Sequence, residues 1–228
     1  MRDLYNDQLQ AIVDDIVAMT RTVRDAVEQA TQALLEADPA AAETVISGDK
    51  GIDDARESVE EVSFQLLATQ QPVAGDLRML VASLRIVADL ERMGDLAVHV
   101  AKIARMRMPE KAVPPALRPT IANMAETAER MVGETARIIA DRDVDAALAL
   151  EAEDEEMDRL RRSMFRILLD DDWADGVEPA VDLALLGRYY ERIADHAVSM
   201  ARRVVYLVTG SHPSALDGPD IAVSAPGP

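Results

Sequence analysis

The chain contains no cysteine. That excludes disulfides, thiolate metal sites and cysteine nucleophiles, and it suits a reducing compartment. Aromatic residues are scarce at 3%, which argues against an aromatic-rich β-sandwich and fits an aliphatic helical core. Positive charge is also in short supply. Lys and Arg number 24 against 42 Asp and Glu, for a net charge of −18. Binding to nucleic acid is not expected, because basic side chains must outweigh phosphate repulsion. No apolar run approaches the roughly 18 residues that a membrane-spanning helix needs. The first residues, Met1 to Asp7, lack the apolar stretch of a signal peptide. A cytoplasmic location is therefore expected, with any membrane association made only through partners. Neither a Gly-x-Ser-x-Gly elbow nor a phosphate-binding glycine loop is present.

What the chain does have is helical periodicity along most of its 228 residues, 49% of them apolar. This is enough for one large domain or two small ones with a real core. Six long helices are expected, over roughly 3–36, 38–70, 74–106, 115–141, 143–170 and 178–209. Asp38-Pro39 and Asp143 carry the chemistry of helix starts. Gln71-Pro72 stops a helix, since proline disfavours the helical conformation of the residue before it. Prolines 109, 114, 115 and 119 crowd the middle of the chain. After Gly210 the repeating apolar face is lost, so residues 211–228 are expected to be a disordered tail.

The six helices fall into two similar sets of three. Glu91-Arg92-Met93-Gly94-Asp95 recurs as Glu191-Arg192-Ile193-Ala194-Asp195, one hundred positions on, with Ala97/Ala197, Val98/Val198 and Ala101/Ala201 in register. The second helix of each set carries a related pair, Asp49 with Asp53 and Asp154 with Asp158, at an offset of 105. The expected fold is therefore all-α. It comprises two tandem three-helix bundles, residues 1–108 and 115–210, lying end to end or side by side.

Two acids four apart on a helix stand side by side and repel by a few tenths of a kcal/mol. Four such pairs at matching places in two repeats suggest a cation to hold. The apolar stripes place these acids on a shoulder. In the last helix the stripe is Leu183, Leu186, Tyr190, Ile193, Ala197, Met200 and Val204; in the third it is Ile86, Leu90, Met93, Ala97 and Val100. In the second it is Val45, Gly48, Ile52, Ala55 and Val59, with Asp49 and Asp53 each one residue past it. In the fifth it runs through Leu150, Met157, Leu160 and Met164, flanked by Asp154 and Asp158. If the second and third helices of a set are antiparallel, their shoulders bring four carboxylates together. Such a site favours iron(III), magnesium, manganese or calcium, and zinc also accepts carboxylates. His99 and His196 lie near enough in sequence to offer a nitrogen ligand. The competing reading is ordinary acidic helix surface, with Arg85, Arg92, Arg188 and Arg192 as ion-pair partners.

The segment Gln70-Gln71-Pro72-Val73-Ala74-Gly75-Asp76-Leu77-Arg78, with Asp89 to Asp95 after it, resembles the PhoU family. Tyr189 to Ala197 resembles that family's second motif. The resemblance covers residues 1 to about 210. It departs in the second half, where Asp175-Gly176-Val177-Glu178-Pro179 stands in place of a second Pro-Val-Ala-Gly-Asp-Leu-Arg. The resemblance implies two three-helix bundles with metal clusters held by Asp49, Asp53, Glu91 and Asp95 in the first half. Asp154, Asp158, Glu191 and Asp195 would serve the second. It also implies a regulator that restrains the phosphate-specific ABC transporter and keeps a membrane sensor histidine kinase inhibitory when phosphate is plentiful. A homodimer is expected. Two other readings stand beside it: a metal-dependent enzyme of di-iron type and a plain structural bundle. Di-iron bundles use Glu-x-x-His, and no His here has Glu three residues before it.

Overall fold

The computed structural model describes residues 2–211; the expected tail therefore lies, beyond Ser211, outside the described residues. Six helices follow in order: α1 Arg2–Glu36, α2 Pro39–Gln70, α3 Ala74–Arg107, α4 Arg118–Asp141, α5 Val144–Leu168 and α6 Val177–Thr209. Among the described residues there is no strand.

The breaks fall where local chemistry demands them. Asp38 accepts hydrogen bonds from the Ala40 and Ala41 amides at 2.9 and 3.2 Å, with Pro39 opening α2. Asp143 caps α5 by accepting from the Ala146 amide at 2.9 Å. Each such cap contributes about 1 kcal/mol. Gln71 turns into the left-handed region at φ 48° and ends α2 before Pro72. Gly176, at φ 91°, occupies a conformation that side chains rarely adopt. The Trp173 indole donates to its carbonyl at 2.8 Å and closes the turn into α6.

α4 begins three residues later than its periodicity indicates. Pro114 and Pro115 hold the chain in a turn, in which the Leu117 and Arg118 amides both donate to the Pro114 carbonyl. Nor is the proline-rich stretch a free divider between the halves. Ala112, Val113 and Leu117 are buried, and Arg118 donates to the Leu35 carbonyl at 2.6 Å and pairs with Glu36 at 3.1 Å. The connection is thereby packed onto the end of α1.

The two triads lie side by side. α1 packs on α4 and α3 packs on α6, while α2 rests on α1 and α3, and α5 on α4 and α6. A single apolar cluster runs through both halves. Tyr190 sits within it, wholly buried. Its hydroxyl lies 2.9 Å from Thr31 Oγ1. Because Thr31 gives its own proton to the Val27 carbonyl at 2.8 Å, Tyr190 is the donor, and the bond ties α6 to α1. The stripes of α3 and α6 are buried as their periodicity predicts. On α2 the stripe is narrower than expected: Gly48 is exposed and Ala55 half-buried. An outer helix seats only a thin seam, here Val45, Ile52, Val59 and Leu66, each seven residues after the last. α5 repeats this with Leu150, Met157 and Met164.

Candidate metal centres

The seven-residue seams decide where the acids stand. On α2 a second column runs Ala42, Asp49, Arg56 and Ser63; on α5 the equivalent column runs Ala147, Asp154, Arg161 and Leu168. Asp49 and Asp154 therefore occupy seam positions and are half-buried. Gly94 of α3 lets α2 approach closely. A Cβ there would come within 2.9 Å of Ile52 Cδ1 and 3.7 Å of Asp49 Oδ1. The counterpart, Ala194, is buried.

The electrostatics of the two halves match. Burial raises the pKa of Asp49, and Asp95, Asp53 and Glu91 raise it further, partly countered by Lys102. Burial likewise raises Asp154, reinforced by Asp195, Asp158 and Glu191 and partly countered by Arg202. Asp195 is raised by burial and by Glu191, against the pull of Arg188, Arg192 and His196. Each half thus assembles four mutually repelling carboxylates from two helices, and it does so from the residues the sequence singles out. A multiply charged cation would relieve that repulsion, so the donor set fits a hard ion. The side chains as they stand are not gathered for coordination. Among the described residues no three His, Asp or Glu are grouped closely enough to hold a metal.

The halves differ in how their glutamates are held. Glu91 is half-buried and lies 4.0 Å from the exposed Arg92, which pairs more closely with Asp95 at 3.0 Å. Glu191 departs from the expected shoulder position and is buried. Two arginines make that burial tolerable: Arg161 donates to it at 3.0 Å and Arg188 pairs with its other oxygen. Asp158 is exposed, and Arg162 comes no nearer to its carboxylate than 3.9 Å.

Neither histidine joins these clusters as a ligand. His99 stacks on Tyr189, ring centroids 5.3 Å apart. His196 Nδ1 lies 3.0 Å from Asp89 Oδ1, and Asp89 also accepts from Ser199 at 3.3 Å and from Arg203 Nε at 3.0 Å. Burial works to raise the Asp89 pKa, but the bonds from His196 and Arg203 outweigh it and hold the carboxyl below its usual range. The two contacts are related by the repeat. Residue 89 to residue 199 corresponds, at the hundred-residue offset, to residue 189 to residue 99. α3 and α6 therefore cross antiparallel about a local two-fold axis.

Sequence reasoning missed Arg56 and Arg161. Both stand seven residues after a seam aspartate, and both have a buried Nε without a hydrogen-bond partner. Their signal was present, because they share the offset of 105 that relates Asp49 to Asp154. Asp182, buried at 4% exposure and paired with Arg107 at 2.5 Å, left no comparable trace.

The PhoU domain family matches the chain twice, at residues 16–104 and 121–204. The phosphate-specific transport system accessory protein PhoU homolog 2 of Mycobacterium tuberculosis (strain ATCC 25618 / H37Rv) is 44% identical over 213 residues. That match covers 93% of this chain and all of that protein. The PhoU homolog of Rhizobium meliloti (strain 1021) is 33% identical, over 92% of this chain and 89% of its own length. The crystal structure of PhoU from Pseudomonas aeruginosa superposes with a TM-score of 0.83 at 30% identity, over 91% of this chain and all of that one.

Proposed function

The chain belongs to the PhoU family, and on that premise we propose that it is a non-enzymatic accessory protein of a phosphate-specific transport system. In this reading it restrains phosphate uptake when phosphate is plentiful. It acts as an adaptor between the transporter ATPase and a sensor histidine kinase, in the cytoplasm and as a homodimer. The observation that supports it most is the extent of the match. Relatives named as transport accessory proteins align along nearly the whole chain, and the family matches both repeats.

Metal binding is part of the proposal. Asp49, Asp53, Glu91 and Asp95 would hold iron, zinc, magnesium or manganese in the first half, and Asp154, Asp158, Glu191 and Asp195 in the second. Their carboxylates supply hard oxygen donors and lose their mutual repulsion on binding. The ion would supply positive charge that draws α2 to α3 and α5 to α6. The helices' own part is to present the acids at the seam edge, with Asp158 and Asp195 exposed, Glu191 buried and the rest half-buried.

The test deletes the gene in a strain with no second copy and measures phosphate uptake and alkaline phosphatase in phosphate-rich medium. Both should rise several-fold. Unchanged regulation overturns the reading. Co-purification of the ATPase and the kinase with the intact protein tests the adaptor role separately.

A further inference from the structure

This strongly acidic molecule carries a basic groove with an apolar wall. It opens between the first turns of α3 and the last turns of α6, with a volume of about 540 Å³. Arg78 and Arg85 line it from α3, and Arg202 and Arg203 from α6. Asp195 is the one acid on its wall. Val81 and Tyr206 are also in the lining and are exposed by 38% and 41%.

The charge in this groove is partly unspent. Arg203 is engaged by Asp89 and Arg202 by Glu151. Among the described residues Arg78 and Arg85 form no ion pair, and the Arg78 Nε is a buried donor without an acceptor. Arg78 and Arg85 are seven residues apart, so they project from one face of α3 about two turns apart. Arg78 is half-buried and Arg85 exposed, and two guanidinium groups on one face match the forked geometry of phosphate oxygens.

The repeat supplies an internal control. The equivalent place at the other end of the α3–α6 pair has Glu178 where the groove has Arg78, Asp182 for Ala82 and Leu185 for Arg85. There Arg107 bridges Glu178 and Asp182, and the charges satisfy one another. The two ends arose from equivalent segments, yet only one presents unpaired arginines beside an open apolar plate.

We propose that this groove binds a mononucleotide, its phosphates on Arg78, Arg85, Arg202 and Arg203 and its base against Tyr206 and Val81. The volume lies within the usual range of small-ligand pockets, roughly 300–1,000 Å³. Stacking of a base on an aromatic ring supplies a further contribution that inorganic phosphate lacks. The groove adjoins the second carboxylate cluster and shares Asp195 with it, but its ligand is an anion and the cluster's a cation.

Titration calorimetry on the intact protein tests this, with ADP, inorganic phosphate and a pentaglutamate peptide as probes. Divalent cations are left out, so that the acidic pairs cannot hold phosphate through a metal. ADP should bind at least tenfold more tightly than inorganic phosphate. Arg78→Ala with Arg85→Ala should weaken ADP at least tenfold. Tyr206→Ala should weaken ADP and leave inorganic phosphate unchanged, a split that loss of folding cannot produce. No ADP binding at millimolar concentration overturns the proposal. So does ADP binding that survives the double substitution, or binding of the acidic peptide without ADP, which would make the groove a seat for a partner's acidic segment.

Discussion

Arg161 reaches from α5 to Glu191 on α6 at 3.0 Å, whereas its counterpart in the first repeat, Arg56, stays on its own helix and pairs with Glu60 at 2.7 Å. The two arginines occupy the same seam position, so the difference lies in their partners. In the second half the motif glutamate is already neutralised, twice over. In the first half it is not.

This difference should order the loading of metal. A cation entering the second cluster must displace Arg161 and Arg188 from Glu191, whereas in the first Glu91 has only the exposed Arg92 near it, at 4.0 Å. The first half should therefore bind more tightly. Arg161→Ala should raise affinity in the second half by about tenfold, the lower end of what neighbours of metal ligands usually change. Chelator competition on Glu91→Ala/Asp95→Ala protein, in which only the second cluster remains, would show it. Equal affinity with and without Arg161 would remove the idea.

Glu129 on α4 gives a pH prediction. Burial pushes its pKa up to about 7, and Glu28 and Glu126 add repulsion that Arg24 only partly relieves. The folded state therefore keeps a proton that the unfolded chain, with an ordinary carboxylate, has lost. Between about pH 4.5 and 7 the native state binds more protons, so this group's contribution to stability falls as pH rises through that window. Glu129→Gln should raise Tm at pH 8 by a few degrees, an effect reduced by the side chain's partial exposure. At pH 4.5 the two proteins should melt nearly together. A parallel offset at every pH would point to packing instead.

Tyr190→Phe keeps the ring in the core and removes the bond to Thr31. Thr31 retains its bond to Val27, so no buried hydroxyl proton is orphaned. The expected cost is about 1 kcal/mol, read as a lower denaturation midpoint with an unchanged slope. A loss above about 3 kcal/mol would mean that the hydroxyl holds more than this one contact.

Asp89→Ala strips three partners at once: His196, Ser199 and Arg203. A fully buried pair broken from one side costs about 3–5 kcal/mol. Here the cluster is partly open to solvent, and about 2 kcal/mol is expected at neutral pH. Urea unfolding would measure it. Substituting Arg203 alone should cost less, because Asp89 keeps its bonds from His196 and Ser199.

Much of this was legible along the chain. Six helices, their caps at Asp38 and Asp143, the duplication and the eight acids all follow from spacing and residue type. Those signals are local, or repeat at a fixed offset. The role of Arg161 was not legible, because on one helix an arginine seven residues after an aspartate looks like surface charge. Only the neighbouring helix shows that it meets Glu191. The histidines were open in sequence for the same reason: His196 adjoins Asp195 along the chain, and only the fold shows its ring turned toward Asp89 on α3. The narrow seam of α2 was hidden too, since Gly48 and Ala55 fit a helical stripe as well as buried residues do.

The sequence by itself determined the secondary structure, the two-repeat organisation and the carboxylate inventory, because helical periodicity and duplication are written in one dimension. The tertiary structure decided how the repeats meet: side by side, with α3 and α6 antiparallel in one shared core. That arrangement depends on apolar faces finding one another across long stretches of chain. It also set the charge of each site, since a carboxylate's environment depends on which helix is packed beside it. Glu91 and Glu191 are the same residue in the same motif, yet Arg161 reaches across from α5 only to Glu191.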